Sequence, residues 1–170
     1  MGLVHIYFGD GKGKTSAALG LVLRALGDGL CACVCQFLKT APTGEVAALA
    51  RFEGAVVLRA NVDSGLFLWQ MGAAERASCL RRQRELLQIA TARTDEVIVL
   101  DEALSACAAG AFSQEELIEA VERLRGRAEV VLTGREAPPA LLLRADYITH
   151  MQKIRHPCDA GVRARRGIEY

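Results

Sequence analysis

The sequence predicts a three-layer α/β domain: a mainly parallel six-stranded sheet with helices on both faces. Three observations carry this. Six short apolar runs, at 3–8, 31–37, 55–60, 96–101, 128–133 and 146–151, have the length and residue types of strands. Helical patterns fall between them, at 14–28, 44–53, 72–91, 113–125 and 137–143, and strands alternating with helices make parallel sheets. Val97-Ile98-Val99-Leu100 is apolar at every position, as a strand buried on both sides must be.

The first run, Leu3-Val4-His5-Ile6-Tyr7-Phe8, reads as a core strand, with His5 inside it. It leads directly into Gly9-Asp10-Gly11-Lys12-Gly13-Lys14-Thr15-Ser16, after which the pattern is helical. A strand, a glycine-rich turn and a helix N-terminus make an anion site, because amides without an intrahelical partner and the helix dipole converge there. Lys14 is expected to reach β/γ-type phosphates, and the Thr15 hydroxyl to hold Mg²⁺. The general pattern G-x-x-x-x-G-K-[ST] has a glycine where this chain has Phe8, so the turn here is one residue short. The motif still marks a P-loop, which narrows the fold to the P-loop NTPase (RecA-like) architecture.

In the second run Cys31, Cys33 and Cys35 alternate, so in a strand they face one way. They read as small buried residues rather than metal ligands, which usually come from turns at C-x-x-C spacing. Loops 38–44 and 61–71 follow strands at the carboxyl edge of the sheet, where open α/β sheets bind ligands. Loop 61–71 holds the only Trp, Trp69, with Phe67 and Leu68 beside it. Either these side chains tuck into the core or they form a docking face for a large flat ligand. The fourth strand ends in Asp101-Glu102, where P-loop proteins place an acid near the metal. One of the two is expected to approach the ion held by Thr15, and Glu102 is also a candidate base. Ser113-Gln114-Glu115-Glu116 is a capping box, and Pro138-Pro139 suits the first turn of a short helix.

At 170 residues the chain suits a single domain, spanning 1–170. A net charge of +1, with basic residues dispersed, argues against nucleic acid or a membrane surface as partner. The basic stretch from Lys153 to Arg166 is the local exception, either solvated surface or a clamp for phosphate or carboxylate. No apolar run approaches the roughly 20 residues of a membrane span, no signal peptide is read, and the six cysteines suit reduced thiols. A cytoplasmic location is expected.

Together these segments resemble the P-loop ATP:corrinoid adenosyltransferases of vitamin B12 biosynthesis and salvage, over nearly the whole chain. The resemblance rests on Gly9–Thr15, Gln36-Phe37-Leu38-Lys39, Gly44-Glu45 and Phe67-Leu68-Trp69. It continues through Val99-Leu100-Asp101-Glu102, Leu132-Thr133-Gly134-Arg135, Ala145-Asp146, and the stretch Asp159 to Ala164 with Gly167-Ile168-Glu169-Tyr170. The short glycine turn is that family's own version.

The resemblance implies that Co(I) of a reduced corrinoid attacks C5′ of ATP and releases triphosphate, with the nucleotide reversed in the loop relative to kinases. It implies Mg²⁺ (or Mn²⁺) held by Thr15 with Asp101 or Glu102, and nucleotide contacts from Gly9, Asp10, Gly11, Lys12, Gly13, Lys14, Thr15, Ser16, Glu45 and Arg135. Phe67 and Trp69 fall on the aromatic pair that displaces the lower cobalt ligand, so Phe67, Trp69 and Lys14 carry the catalytic roles. Lys153, Arg155 and His156 are looser contacts to phosphate or corrinoid side chains. A flavodoxin-like reductant and a homodimer are implied as partners. Longer members carry an N-terminal helical extension over the corrinoid; this chain starts at its first strand, and a more open site is expected. Two other readings compete: transfer or hydrolysis of the γ-phosphate, and a nucleotide-gated binding protein that docks a partner on loop 61–71.

Overall fold

The computed structural model describes residues 1–39, 41–60 and 68–169. The strands are β1 (Val4–Phe8), β2 (Ala32–Gln36), β3 (Ala55–Arg59), β4 (Val97–Asp101), β5 (Glu129–Gly134) and β6 (Tyr147–His150). The helices are α1 (Lys14–Gly27), α2 (Gly44–Leu49), α3 (Ala73–Thr91), α4 (Ala103–Ala108), α5 (Gln114–Arg125) and α6 (Pro139–Leu142). The strands form one sheet in the order β3-β2-β4-β5-β1-β6, and every pairing is parallel. All six expected strands are present.

Strand alternation divides the core into two layers. Val4, Ile6, Cys33, Cys35, Ile98, Leu100, Val130 and Leu132 pack under α3, α4, α5 and α6. Ala32, Val34, Val97, Val99 and Val131 pack under α1 and α2. The uninterrupted apolar run in β4 is thus explained, since Val97 and Val99 serve one face while Ile98 and Leu100 serve the other. The capping box forms as expected: the Ser113 hydroxyl accepts the Glu116 amide and the Glu116 carboxylate accepts the Ser113 amide. Pro139 occupies the first turn of α6, after Pro138.

Three expectations need correction. Cys31 lies outside β2 and is exposed, because the strand begins at Ala32; only Cys33 and Cys35 are buried, with their sulfurs 3.7 Å apart. Helix α2 stops at Leu49, and residues through Gly54 (φ +82°) turn the chain into β3. Helix α4 was not expected at all. It packs closely on β5, and a Cβ at Gly134 would meet the Leu104 Cβ at 2.5 Å, so glycine allows the approach. His5 is buried as anticipated, its Nε2 hydrogen-bonded to Glu129 Oε1 at 2.6 Å and its ring stacked on Tyr147.

Candidate nucleotide site

The glycine turn leaves the carboxyl end of β1 and enters α1. Gly9 (φ +120°) and Gly13 (φ +115°) have backbone conformations that side chains disfavour. Close packing adds a second requirement. A Cβ on Gly9 or Gly11 would lie 2.3 or 2.7 Å from the Met151 carbonyl oxygen, because the chain after β6 presses on the turn. The Gly11 amide donates to that carbonyl at 2.7 Å, and the Gly9 amide donates to Gly134 and Arg135 carbonyls. Those two amides are therefore committed within the protein. The first helical bond runs from the Ala17 amide to the Gly13 carbonyl, so Lys14, Thr15 and Ser16 begin the helix ahead of its ladder.

The two loop lysines point to different partners. Lys14 Nζ donates to the carbonyls of Gly9 and Gly11, 2.7 Å each, bridging the turn. Lys12 Nζ reaches Glu169 Oε1 at 2.9 Å. Asp10 serves the loop's surroundings: its carboxylate accepts the Lys153 amide at 2.9 Å, and that bond is the main reason its pKa falls below the ordinary value. Lys153 Nζ pairs with Asp159, and the His156 ring accepts the Cys158 amide, so both side chains are engaged within the segment after β6. Arg155 is exposed. Arg135 lies beside the loop through its backbone, its carbonyl accepting the Gly9 amide and its own amide reaching Ser105 Oγ at 3.3 Å.

Beneath the turn, Asp101 is fully buried and surrounded by donors. Its Oδ1 accepts the Thr15 hydroxyl at 2.8 Å and the Thr133 hydroxyl at 2.7 Å. Its Oδ2 lies 2.7 Å from Lys39 Nζ and 3.3 Å from Gln36 Nε2. Strand β5 stands between β1 and β4, and its Thr133 ties Asp101 to the neighbouring strand while Thr15 reaches the acid directly. Thr133 also accepts the Glu102 amide at 2.8 Å. Glu102 takes a left-handed conformation (φ +62°), uncommon for a residue with a side chain, and its carboxylate accepts the Ser105 hydroxyl at 2.6 Å. Leu38, after the adjacent β2, is likewise left-handed (φ +58°). Both outliers sit where strands end at the site, as local strain tends to do.

Of the two candidate acids, the structure therefore brings Asp101 to Thr15 and turns Glu102 toward α4. A hydroxyl and a carboxylate oxygen are hard oxygen donors of the kind that fits Mg²⁺. Among the described residues no group of three or more His, Cys, Asp or Glu is placed to hold a metal by itself.

Glu45, on α2, joins the same network by accepting from Gln36 at 3.1 Å and pairing with Lys39 at 3.4 Å. Burial raises its pKa, but hydrogen bonds from its own backbone, Gln36 and Thr43 and the charge of Lys39 outweigh this and leave it lowered. Thr15, Ser16, Lys39, Glu45, Ile168 and Glu169 line a cavity of about 300 Å³ at this edge. Trp69 sits on a short 3₁₀ turn, Leu68–Gln70, between β3 and α3, with 77% of its surface exposed. It does not tuck into the core. Phe67 lies outside the described residues. Lys39, Thr133, Gln36 and Glu169 are additions to the expected set, and all but Glu169 sit at or just past the carboxyl end of a strand.

The model of the family described as ATP:corrinoid adenosyltransferase BtuR/CobO/CobP matches residues 1–170. The chain is similar to a protein named corrinoid adenosyltransferase from Pseudomonas aeruginosa, at 32% identity covering 99% of this chain and 84% of the relative. It is similar at 33% to corrinoid adenosyltransferase CobA from Salmonella typhimurium, covering 99% and 86%. A corrinoid adenosyltransferase of Escherichia coli K12 is 30% identical, with 99% and 86% covered.

Proposed function

Because the chain belongs to the ATP:corrinoid adenosyltransferase family and so transfers the adenosyl group of ATP to a corrinoid, we propose that its glycine turn holds the triphosphate that departs. The observation behind this reading is the cluster under the turn, where Thr15 meets buried Asp101 beside the loop lysines. Lys14 and Lys12 bind and neutralise the growing negative charge, helped by amides at the start of α1. Ser16 and the remaining turn residues, Gly9 to Gly13, shape the cradle. Glu45 and Arg135 stand at its margins and orient the nucleotide.

Thr15 and Asp101 would hold Mg²⁺, which when bound supplies further charge neutralisation on the leaving triphosphate. Asp101 would serve this holding role because it stands directly under Thr15, its carboxylate oriented by Thr133, Gln36 and Lys39. Glu102 is turned to Ser105. Attack on C5′ needs no general base, because Co(I) of the substrate is itself a strong nucleophile. What the chain must contribute is alignment and charge stabilisation. Gamma-phosphate hydrolysis would need a base or water-orienting group, and neither acid is placed for it.

Trp69, an aromatic surface at the same sheet edge, takes the corrinoid face together with Phe67 and displaces the lower ligand before reduction. The reductant is flavodoxin-like, and the working form a cytoplasmic homodimer. No helix is long and apolar enough to cross a membrane among the described residues.

The test is anaerobic incubation with MgATP and chemically reduced cob(I)alamin. Light-sensitive adenosylcobalamin with one equivalent of triphosphate is expected. ADP and phosphate, unaffected by the corrinoid, would overturn the reading.

A further inference from the structure

Lys12 belongs to the glycine turn, yet its ammonium is bound to a carboxylate 157 positions away, Glu169 Oε1 at 2.9 Å. Arg165 grips the same carboxylate: its Nη2 donates to Oε1 at 3.0 Å, and its Nε and backbone amide donate to Oε2 at 3.1 and 2.7 Å. The Arg165 bonds first, then Lys12, hold the Glu169 pKa down to about 2, so the group is an anion under any assay condition. Gly167, Ile168 and Glu169 form one wall of the 300 Å³ cavity; Thr15 and Ser16 from the start of α1 form another. Gly161 (φ +76°) and Gly167 (φ +78°) turn the backbone on either side of Arg165. An anion of the chain thus occupies a cation of the phosphate loop, at the rim of the cavity that the loop opens into.

We propose that Glu169 competes with the nucleotide's phosphates for Lys12, which makes the Arg165–Glu169 turn a displaceable wall of the nucleotide site and Glu169 a positioning residue acting through Lys12. This rests on the nucleotide reading above. Phosphate arriving at the turn takes Lys12 from Glu169, and Glu169 retakes it as triphosphate leaves. Inorganic triphosphate depends most on this exchange, because it has no adenosyl group to hold it elsewhere. Adenosine, which has no phosphate, is indifferent to it. The pair is partly exposed, so the exchange is worth a few-fold in affinity.

The experiment measures binding of inorganic tripolyphosphate, of ATP and of adenosine, by calorimetry, to the full chain, to Glu169→Gln, to Lys12→Ala and to the double variant. Glu169→Gln is expected to tighten tripolyphosphate by about two- to five-fold and leave adenosine unchanged. In the Lys12→Ala background the same substitution is expected to do nothing. Weaker or unchanged tripolyphosphate binding in Glu169→Gln overturns the proposal and leaves Glu169 a structural residue. Equal tightening of adenosine also overturns it, since the cavity has then merely opened. A wild-type chain that binds neither tripolyphosphate nor ATP would instead remove the nucleotide reading, and this proposal with it.

Discussion

Thr133→Val tests the buried network most directly. The threonine hydroxyl is fully buried, donating to Asp101 Oδ1 at 2.7 Å and accepting the Glu102 amide at 2.8 Å. Valine keeps the shape and removes the oxygen. Losing a hydrogen bond to a carboxylate costs about 1.5–3 kcal/mol, and the lower half applies because Thr15, Gln36 and Lys39 remain on Asp101. Orphaning the Glu102 amide adds about 1–2 kcal/mol, for a total of about 3 kcal/mol. Thr133→Ser keeps both bonds and loses one methyl, about 1 kcal/mol.

With a urea slope of about 1–3 kcal/mol/M, valine should lower the unfolding midpoint by about 1–3 M, and serine by less than half of that. Circular dichroism in urea reads this. The adenosylation rate should fall at least about tenfold in Thr133→Val, because Asp101 is no longer tied to β5 beneath Thr15, and stay within about two-fold in Thr133→Ser. Serine as damaging as valine in both assays would refute the reasoning, for the methyl would then be what matters.

Lys14→Ala should reduce adenosylation by at least about a hundredfold, as measured with chemically reduced corrinoid, and lower the urea midpoint as well, because its bonds to the Gly9 and Gly11 carbonyls are lost; near-normal kcat would remove its role. Trp69→Ala should slow the assay that starts from Co(II) and a reductant far more than the assay supplied with Co(I). At 77% exposure its effect on stability should stay within about 0.5 kcal/mol by urea unfolding. Equal losses in the two rate assays would make Trp69 merely structural. Gly11→Ala places a methyl 2.7 Å from the Met151 carbonyl oxygen, so the turn or the segment after β6 must shift. ATP affinity, measured by calorimetry, should drop at least about tenfold, and unchanged affinity would mean the turn adapts without consequence.

The strands were legible because each is an apolar run between turn residues, and the glycine turn because its spacing has a mechanism. Helix α4 was not. Ala103, Leu104, Ala106 and Cys107 are all buried, so Ala103–Ala108 has neither a polar face to create a helical period nor a capping side chain. Single polar residues at strand ends, such as Thr133 and Gln36, leave no pattern either; only the sheet order shows that they converge on Asp101. The committed amides of Gly9 and Gly11 depend on a backbone carbonyl at Met151, and main-chain groups have no sequence signature beyond the glycines that admit them. Cys31 was misplaced by one residue, which at a strand boundary is enough to exchange burial for exposure.

The position of β1 has a consequence for how the chain is made. Strand β1 pairs only with β5 and β6, Val4 with Val130 of β5 and His5 with Tyr147 of β6, so both of its partners lie more than a hundred residues further along the chain. Leu3 donates to Glu129, 126 positions away. At ribosomal speed the glycine turn is exposed to the cell for on the order of ten seconds before its neighbours exist. A nascent chain halted before β5 therefore carries the whole motif and no site, and ATP has nothing to stabilise until β5 and β6 emerge. Such late, distant pairing slows folding and leaves β1 an open edge meanwhile, exposed to aggregation or chaperone capture.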